Sequence, residues 1–362
     1  MKITFILPTA AIGGGVRVVF EYANRLIDRG HEVKIIYPGK LFPKINFFWR
    51  LEAILRQIKY FFVYRVLNQS EASWFPLKAQ VLRTPSLEER YIPDADIVVA
   101  TANETADWVN KLPSRCGRKF YFIQGYETWS RDKEKVLKTY RMPMNKIVIS
   151  SWLKQMVKKE NQDNIYGPII NGVNFKQFYN KNKRFNRNKR ILIMYSPLKI
   201  KGFADGLKAF NFVKKKHPEV KLVIFSAYPK NQEIPEFAEF HFRPNPNKLR
   251  ELYATSDIFV SPSWQEGCQL PPMEAMACKT AVVATNVGGI PDYTIPGKTA
   301  LVVPPKKPKL LAKAILELIE DDNKLKKISL AGYKHIRNFS WEKATKKLEK
   351  IFFKELKNVQ RF

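Results

Sequence analysis

The chain has 362 residues, of which 45% are hydrophobic, a content that excludes an intrinsically disordered protein and is enough for a large buried core. The formal net charge is +30, so we expect an anionic partner or surface. Lysine and arginine are spread over the whole length, without a zinc-finger spacing, an RNA-recognition signature or a single basic arm. We therefore rank nucleic acid last among the anionic partners, behind a diphosphate-bearing small molecule and an anionic membrane.

The cysteines and the apolar segments predict the compartment. Cys116, Cys268 and Cys278 show no C-x-x-C spacing and leave an odd count, so we expect no structural disulfide. The apolar start, residues 3–7, is too short for the core of a signal peptide, and no uninterrupted apolar stretch approaches the ~18 residues of a spanning helix. We expect a cytoplasmic protein that can lie peripherally on the inner face of the cell membrane.

The first half opens with a strand, a glycine turn, a helix and a second strand. Residues 2–7 and 33–37 are the predicted strands, and a helix that Gly30 ends is predicted between them. Its apolar positions recur at helical spacing as Val16, Val19, Phe20, Ala23 and Ile27. A glycine turn at a helix N-terminus offers free backbone N–H groups to an anion, although a tight turn alone also explains the glycines. The spacing is not G-x-G-x-x-G, so we predict no dinucleotide site.

Residues 41–67 combine an apolar stripe with aromatic and basic side chains. The stripe recurs at spacings of three and four as Phe48, Leu51, Leu55, Ile58, Phe62 and Val66. A helix that packs in the core of the first domain explains this pattern, and so does a helix on a membrane surface. Because the aromatic content exceeds what one buried stripe requires, we hypothesise docking on anionic lipid through this segment.

Two further features of the first half carry polar side chains. Asp94 and Asp96 form a D-x-D, a pattern that metal sites use, but acids are common where a turn meets a strand and nothing nearby supplies further ligands. We therefore predict a structural role for both and no metal site. Another apolar strand, KFYFIQGYE, runs from Lys119, and its end places Gln124, Tyr126 and Glu127 at the carboxyl edge of the sheet.

The pattern restarts after a basic stretch without acids, residues 176–190. Strand, loop, helix and strand follow, and Lys201 and Gly202 stand where the helix begins. A cation at a helix N-terminus is disfavoured by ~0.3–1 kcal/mol, because the helix dipole repels it. A diphosphate bound between Lys201 and the helix would make the position of this cation favourable.

The most informative stretch is residues 257–292, DIFVSPSWQEGCQLPPMEAMACKTAVVATNVGGIPD. It reads as strand, loop, helix and strand, an arrangement that places ligands at the strand ends of open α/β sheets. Glu266 lies in the loop, and Glu274 is predicted in the first turn of a helix that starts at Pro271. Together they can accept hydrogen bonds from a polyhydroxylated ligand; singly, Glu274 could offset the helix dipole and Glu266 could be a solvated charge.

This stretch of sequence resembles the signature of the retaining glycosyltransferases of family 4, which is PS-x-x-EGFGLP-x-LEAMACG-x-PVVA before a GG. The resemblance implies a GT-B fold, in which two Rossmann-like parallel-sheet domains face each other across a cleft. It also implies that Glu274 holds the ribose of a nucleotide-sugar, Glu266 the sugar hydroxyls and Lys201 the diphosphate. Further donor contacts are implied for Gly14, Gly15, Arg17, Gly267, Cys268, Gln269 and Leu270, and a sugar contact for Gln124.

The sequence departs from the family's pattern at several positions. Cys268 and Gln269 stand in place of Phe-Gly, and Lys279 in place of the glycine after the helix. Ser196 stands where the resemblance implies an arginine on the diphosphate, a role that Lys199 or Arg243 would then take.

We therefore predict an α/β protein of GT-B fold. Its predicted domains are residues 1–172, joined by the C-terminal helix 340–362, and residues 173–339. The predicted function is transfer of a hexose-type sugar, with retention, from a nucleotide-diphosphate-sugar to a glycan or lipid-linked acceptor in cell-envelope polysaccharide synthesis. Lys201 and Glu266 are the catalytic candidates, and no metal or cofactor is expected. The alternatives are a sugar-nucleotide epimerase, a phosphorylase, or a non-catalytic protein that binds sugar or nucleic acid on the same fold.

Overall fold

The computed structural model describes residues 1–39, 71–128 and 132–359, and the segment 41–67 lies outside these described residues. The chain forms two compact units. Unit 1 consists of Met1–Val148, Lys154–Ile169 and Thr345–Phe362, and unit 2 of Ile149–Leu153 and Ile170–Ala344. The predicted domains are 1–172 with 340–362, and 173–339; the observed units differ in that Ile149–Leu153 belongs to unit 2 and unit 1 resumes at Thr345.

Unit 1 contains a parallel sheet of seven strands in the order β3-β2-β1-β4-β5-β6-β7. The central strand Ile97–Ala100 is buried along its whole length, which explains why it is a continuous apolar run in the sequence. The strands are β1 Lys2–Ile6, β2 Glu32–Pro38, β3 Gln80–Thr84, β4 Ile97–Ala100, β5 Arg118–Ile123, β6 Asn145–Val148 and β7 Ile165–Tyr166.

Unit 2 contains a second parallel sheet, of six strands, in the order β10-β9-β8-β11-β12-β13. Both sheets therefore have the doubly wound order of dinucleotide-binding folds. In each, the chain adds strands on one side of the first strand and then reverses direction to add the remaining strands on the other side. The strands are β8 Arg190–Tyr195, β9 Lys221–Ser226, β10 Glu239–Phe242, β11 Ile258–Ser261, β12 Ala281–Thr285 and β13 Leu301–Val303. These two sheets confirm the predicted α/β class.

The α-helices before the last strand lie in connections between parallel strands, as such connections require, and three more follow that strand in the described part of the chain. They are α1 Gly14–Asp28, α2 Asn103–Lys111, α3 Lys133–Arg141, α4 Ser151–Lys158, α5 Phe203–Lys216, α6 Pro246–Thr255, α7 Leu270–Ala277, α8 Ile290–Tyr293, α9 Pro308–Glu320, α10 Asp322–Ile336 and α11 Trp341–Val359. In unit 2, apolar faces of α5, α9 and α10 cover the sheet, where Phe210, Ile315 and Ile328 join the buried core. No helix within the described residues is long and apolar enough to span a membrane.

Helix α1 follows the predicted pattern with one change. Val16, Val19, Phe20 and Ala23 are buried, but Leu26 completes the buried stripe where the spacing predicted Ile27. The helix ends before Gly30, whose φ of +84° lies in the left-handed region that favours glycine.

The end of α11 is anchored on unit 1. Glu349 forms a bidentate ion pair with Arg29 and a 2.8 Å hydrogen bond with His31 Nε2. Phe352 packs edge-on against Phe120, with the ring centroids 4.9 Å apart. These contacts explain why the residues from Thr345 onward belong to unit 1.

Candidate functional site

The candidate site of unit 2 lies at the carboxyl ends of β8 and β11. These strands are neighbours in the sheet, and their following connections run to β9 on one side and to β12 on the other. The crevice at such a reversal is where open α/β sheets bind ligands. Lys201 lies in the connection after β8, and Glu266 in the connection after β11.

The two connections are held together at Gly202. Lys199–Lys201 forms one turn of 3-10 helix, and Gly202, with φ +65°, leads into α5. A Cβ at Gly202 would lie 2.0 Å from the carbonyl oxygen of Pro262, so only glycine permits this approach. The backbone N–H of Trp264 also donates to the carbonyl of Ile200 at 2.7 Å. This packing fixes Lys201 beside the loop that carries Glu266.

Lys201 and Glu266 form an ion pair. The ammonium Nζ lies 2.8 Å from Oε1 and 2.9 Å from Oε2 of the carboxylate. The side chain of Glu266 is 8% exposed and that of Lys201 is 25% exposed, so the pair is largely shielded from solvent while the cation can still be reached. The sequence alternative that Glu266 is a solvated charge is therefore wrong. Lys201, whose charge is disfavoured near the start of α5, therefore has Glu266 of the protein itself as its counter-charge.

Buried hydrogen bonds extend this pair. Ser263 Oγ donates to Glu266 Oε1 at 2.8 Å, and Gln269 Nε2 donates to the same oxygen at 2.6 Å. Gln269 Oε1 accepts a hydrogen bond of 2.6 Å from Ser261 Oγ. Neither serine was predicted from the sequence as a site residue, although Ser263 belongs to the Pro-Ser pair of the quoted signature.

Glu274 lies elsewhere in its helix than the sequence predicted. Helix α7 begins at Leu270, so Glu274 is in its second turn and the first turn contains no acid. The prediction of a first-turn carboxylate is therefore wrong, since Leu270 and the two prolines after it already form that turn. Glu274 is 3% exposed, and its Oε2 accepts a hydrogen bond of 3.0 Å from Tyr253 Oη.

The backbone from Gly267 to Leu270 is closely packed. A Cβ at Gly288, whose φ is +54°, would lie 2.0 Å from the carbonyl oxygen of Glu266, which explains the first glycine of the GG pair. Cys268 is buried, and burial raises the pKa of its thiol to about 12. At neutral pH this thiol is protonated and is not a nucleophile.

The position where the resemblance implies an arginine is occupied by a small side chain. Ser196 is 8% exposed, and its hydroxyl accepts a hydrogen bond of 3.4 Å from the N–H of Leu198. Arg243, one of the two suggested replacements, donates from Nε to the carbonyl of Ala227 and stacks on the ring of Phe242 at 5.0 Å. Its guanidinium is therefore engaged at the end of β10.

In unit 1 the structure brings Gly15 and Gln124 together. A Cβ at Gly15 would lie 3.3 Å from Gln124 Nε2, which donates to the carbonyl of Thr101 at 3.4 Å. Within the described residues, Gln124 Oε1 is a buried atom that accepts no hydrogen bond. Gly14 begins α1, and Arg17 lies one turn from Glu21, with 3.9 Å between their charged groups.

A half-buried acid follows Gln124 at the same sheet edge. Glu127 Oε2 accepts hydrogen bonds from the backbone N–H of Asn103 at 2.9 Å and from its Nδ2 at 2.7 Å. Burial raises the pKa of Glu127 to about 7, although the bonds from Asn103 lower it in part. The sequence placed Glu127 at the strand end but gave no sign of this burial.

The two acids of the D-x-D have structural contacts. Asp96 Oδ2 accepts a hydrogen bond of 2.7 Å from the backbone N–H of Lys2, and Asp94 pairs with Arg115 at 2.8 Å. In the ranges 1–39, 71–128 and 132–359, no group of three or more His, Cys, Asp or Glu side chains could hold a metal ion.

Comparison with known proteins adds a family match in unit 2. Residues 175–335 match the family model described as glycosyl transferases group 1. The D-inositol 3-phosphate glycosyltransferase of Corynebacterium diphtheriae is 36% identical over 107 residues, which are 30% of this chain and 25% of that protein. The capsular polysaccharide biosynthesis glycosyltransferase CapM of Staphylococcus aureus is 27% identical over 237 residues, 59% of this chain and 62% of that protein. The chain thus spans about a quarter of the former relative and less than two thirds of the latter.

Solved structures resemble the whole chain. Sucrose-phosphate synthase from Thermosynechococcus elongatus has a TM-score of 0.71 and 16% identity, and covers 99% of both chains. Anabaena HepE in complex with UDP-glucose has a TM-score of 0.73 and 15% identity, and covers 97% of this chain and 98% of its own. A mutant of S. aureus TarM in complex with fondaparinux, α-GlcNAc-glycerol and UDP has a TM-score of 0.73 and 14% identity, and covers 97% of this chain and 99% of its own.

These likenesses confirm the predicted GT-B fold class, and the match to group 1 confirms the resemblance at that level. The finer assignment to family 4 stays a prediction. Over residues 175–335, which lie in unit 2, the chain is similar to the glycosyl transferases group 1.

Proposed function

We propose that this protein is a retaining glycosyltransferase that moves a hexose-type sugar from a nucleotide-diphosphate-sugar to a glycan or lipid-linked acceptor in cell-envelope polysaccharide synthesis. One observation carries the proposal. The shielded ion pair of Lys201 and Glu266 lies at the strand ends where the winding of the unit 2 sheet reverses. A cation there can stabilise a leaving diphosphate, and the carboxylate can accept hydrogen bonds from sugar hydroxyls.

Each side chain of the site has a separate task in this proposal. Lys201 offsets the charge that grows on the diphosphate as the glycosidic bond breaks. Glu266 and the backbone from Gly267 to Leu270 hold the sugar, and Glu274, oriented by Tyr253, accepts hydrogen bonds from the ribose. Retention is expected to follow from attack on the face that the diphosphate leaves, with the leaving phosphate taking the proton of the acceptor. No protein side chain is then needed as a base.

The relatives support the classes of donor and acceptor. HepE was crystallised with UDP-glucose, and TarM with UDP and α-GlcNAc-glycerol. CapM is named for capsular polysaccharide biosynthesis. Two alternatives remain from the sequence analysis: an epimerase or phosphorylase, and a non-catalytic binding protein, which the serine at position 196 favours.

Thermal unfolding with a panel of ligands tests the proposal. The panel contains UDP-glucose, UDP-N-acetylglucosamine, GDP-mannose and ADP-glucose, each beside its nucleoside diphosphate. A donor at a hundred times its Kd should stabilise the native state by about 2.7 kcal/mol, which raises the midpoint by several degrees. Release of the nucleoside diphosphate when an acceptor glycan is added would separate transfer from binding alone. No stabilisation by any of these ligands would refute the proposal.

Metal independence is part of the proposal. The charge on the leaving diphosphate is assigned to Lys201 and to backbone N–H groups, so transfer should proceed at the same rate in excess EDTA. A loss of activity in EDTA that Mg²⁺ or Mn²⁺ restores would contradict this assignment and return attention to Asp94 and Asp96.

Membrane docking through residues 41–67 is also proposed, on the sequence alone. The wild-type chain should co-sediment with anionic vesicles at low salt, and a variant with Arg50, Arg56 and Lys59 changed to Glu should not, because attraction to lipid phosphates would become repulsion. The matched control changes Lys214, Lys215 and Lys216 to Glu, at the last turn of α5. Equal binding by the first variant and the wild type would exclude this segment as the dock.

A further inference from the structure

Gln269 uses every polar atom of its side chain within the candidate site. Its amide nitrogen has two hydrogens, of which one bonds to Glu266 Oε1 at 2.6 Å and the other to Ser263 Oγ at 2.8 Å. Its Oε1 accepts from Ser261 Oγ at 2.6 Å. With the amide reversed, a carbonyl oxygen would face the Glu266 carboxylate, so the network fixes the orientation. The side chain is 7% exposed, which leaves little room for water to replace these bonds.

The bonds to Glu266 are divided unequally between its two oxygens. Oε1 accepts from Lys201 Nζ, Ser263 Oγ and Gln269 Nε2. Oε2 accepts from Lys201 Nζ at 2.9 Å, and the described part of the chain gives it no second donor. A carboxylate oxygen offers about two lone pairs, so Oε1 is fully used while Oε2 keeps capacity for another hydrogen bond.

We infer that Gln269 is a positioning residue, which holds the Glu266 carboxylate in place while Lys201 changes partner from Glu266 to the donor diphosphate. The inference rests on the proposed function. A diphosphate has more negative charge than one carboxylate, so it draws the ammonium of Lys201 toward itself. Ser263 and Gln269 then keep Oε1 fixed, and Oε2, released by Lys201, accepts a sugar hydroxyl. Binding of the diphosphate thereby makes Oε2 of Glu266 available to accept a hydrogen bond from the sugar.

The consequence is specific to the sugar part of the donor. A carboxylate that lost the Gln269 bond could rotate after Lys201 departs, and Oε2 would no longer be held toward the sugar. Binding of a nucleoside diphosphate alone does not need Oε2 in this position. Loss of the Gln269 amide should therefore reduce the extra affinity that the sugar contributes, and leave affinity for the diphosphate unchanged.

Gln269→Met tests this inference, because methionine fills a similar volume but donates no hydrogen bond. Calorimetry on the full chain would measure UDP, GDP and ADP against UDP-glucose, UDP-N-acetylglucosamine, GDP-mannose and ADP-glucose. We expect nucleoside diphosphate affinity within twofold of wild type. The gain in affinity from the sugar should fall about tenfold, the effect of one hydrogen bond to a charged group.

Two further variants make the outcome decisive. Ser329→Ala removes a buried serine of unit 2 that donates to the carbonyl of Lys279 at 2.7 Å, and it should leave the ratio of the two affinities unchanged. If Gln269→Met does not fold, Ser261→Ala removes the hydrogen bond to Gln269 Oε1 and should reduce the ratio in the same direction. Equal losses for diphosphate and nucleotide-sugar, or no loss for either, would overturn this inference and leave the proposed function standing. No binding of any probe to the wild type would overturn both.

Discussion

Changing Lys201 to alanine should lower kcat about 100- to 1000-fold, with a smaller change in donor affinity. The backbone at Lys201 is fixed at the strand ends by the contact of Gly202 with Pro262. The ammonium is expected to stabilise the additional charge that develops on the already anionic diphosphate as the glycosidic bond breaks. Steady-state kinetics with the donor found in the ligand panel, together with calorimetry for the affinity, would separate the two effects. A rise in KM with kcat unchanged would mean that Lys201 stabilises the bound substrate and the transition state equally, and so does not accelerate the chemical step.

The double variant Lys201→Ala, Glu266→Gln is the matched control for stability. Removing Lys201 alone leaves the Glu266 carboxylate, which is 8% exposed, without its counter-charge. An unpaired buried charge is destabilising, whereas a neutral amide in its place can be accommodated. Thermal unfolding should therefore show a lower midpoint for the single variant than for the double variant. Turnover should stay low in both, which would separate the catalytic effect from folding.

The fold could be predicted from the sequence because its determinants are local. Runs such as Ile258–Ser261 and Ala281–Thr285 are buried along their whole length, and parallel strands buried on both faces appear in a sequence as continuous apolar runs. Gly30 ends α1 at the predicted residue because its positive φ is a property of the local backbone. Lys201 and Glu266 both follow predicted strands, and the resemblance to the family signature selected them as catalytic candidates.

The pairing of these two residues could not be predicted. They are 65 positions apart, and their contact depends on how closely two loops pack, which Gly202 and Pro262 decide. From the sequence, Lys201 was instead predicted to bind the diphosphate of a ligand. Gln269 was selected only as part of a backbone segment near the donor, because spacing alone does not show that a side chain bonds to a carboxylate three residues earlier.

The position of Glu274 shows the limit for helix boundaries. The prolines predicted a start at Pro271, which made Glu274 a first-turn acid able to act on the helix dipole alone. The helix begins one residue earlier, and Glu274 is directed to Tyr253 within the unit. Since boundaries assigned from sequence are uncertain by more than one residue, an interpretation based on the first turn was open to this error.

Changing Glu274 to glutamine should weaken donor binding roughly ten- to a hundredfold with little change in the unfolding midpoint. Glutamine keeps the volume of this buried side chain and can still accept a hydrogen bond from Tyr253 Oη. It replaces a charged acceptor of ribose hydroxyls by a neutral one, and hydrogen bonds to charged groups contribute about 1.5–3 kcal/mol.

Tyr253→Phe is the matched variant, because it removes the bond that orients Glu274 and keeps the carboxylate. It should therefore weaken binding less than Glu274→Gln does. Calorimetry with the nucleoside diphosphate and with free phosphate completes the test, since the loss should be seen with the nucleoside and not with phosphate alone. Wild-type affinity of Glu274→Gln for the nucleotide would exclude this residue from the donor site.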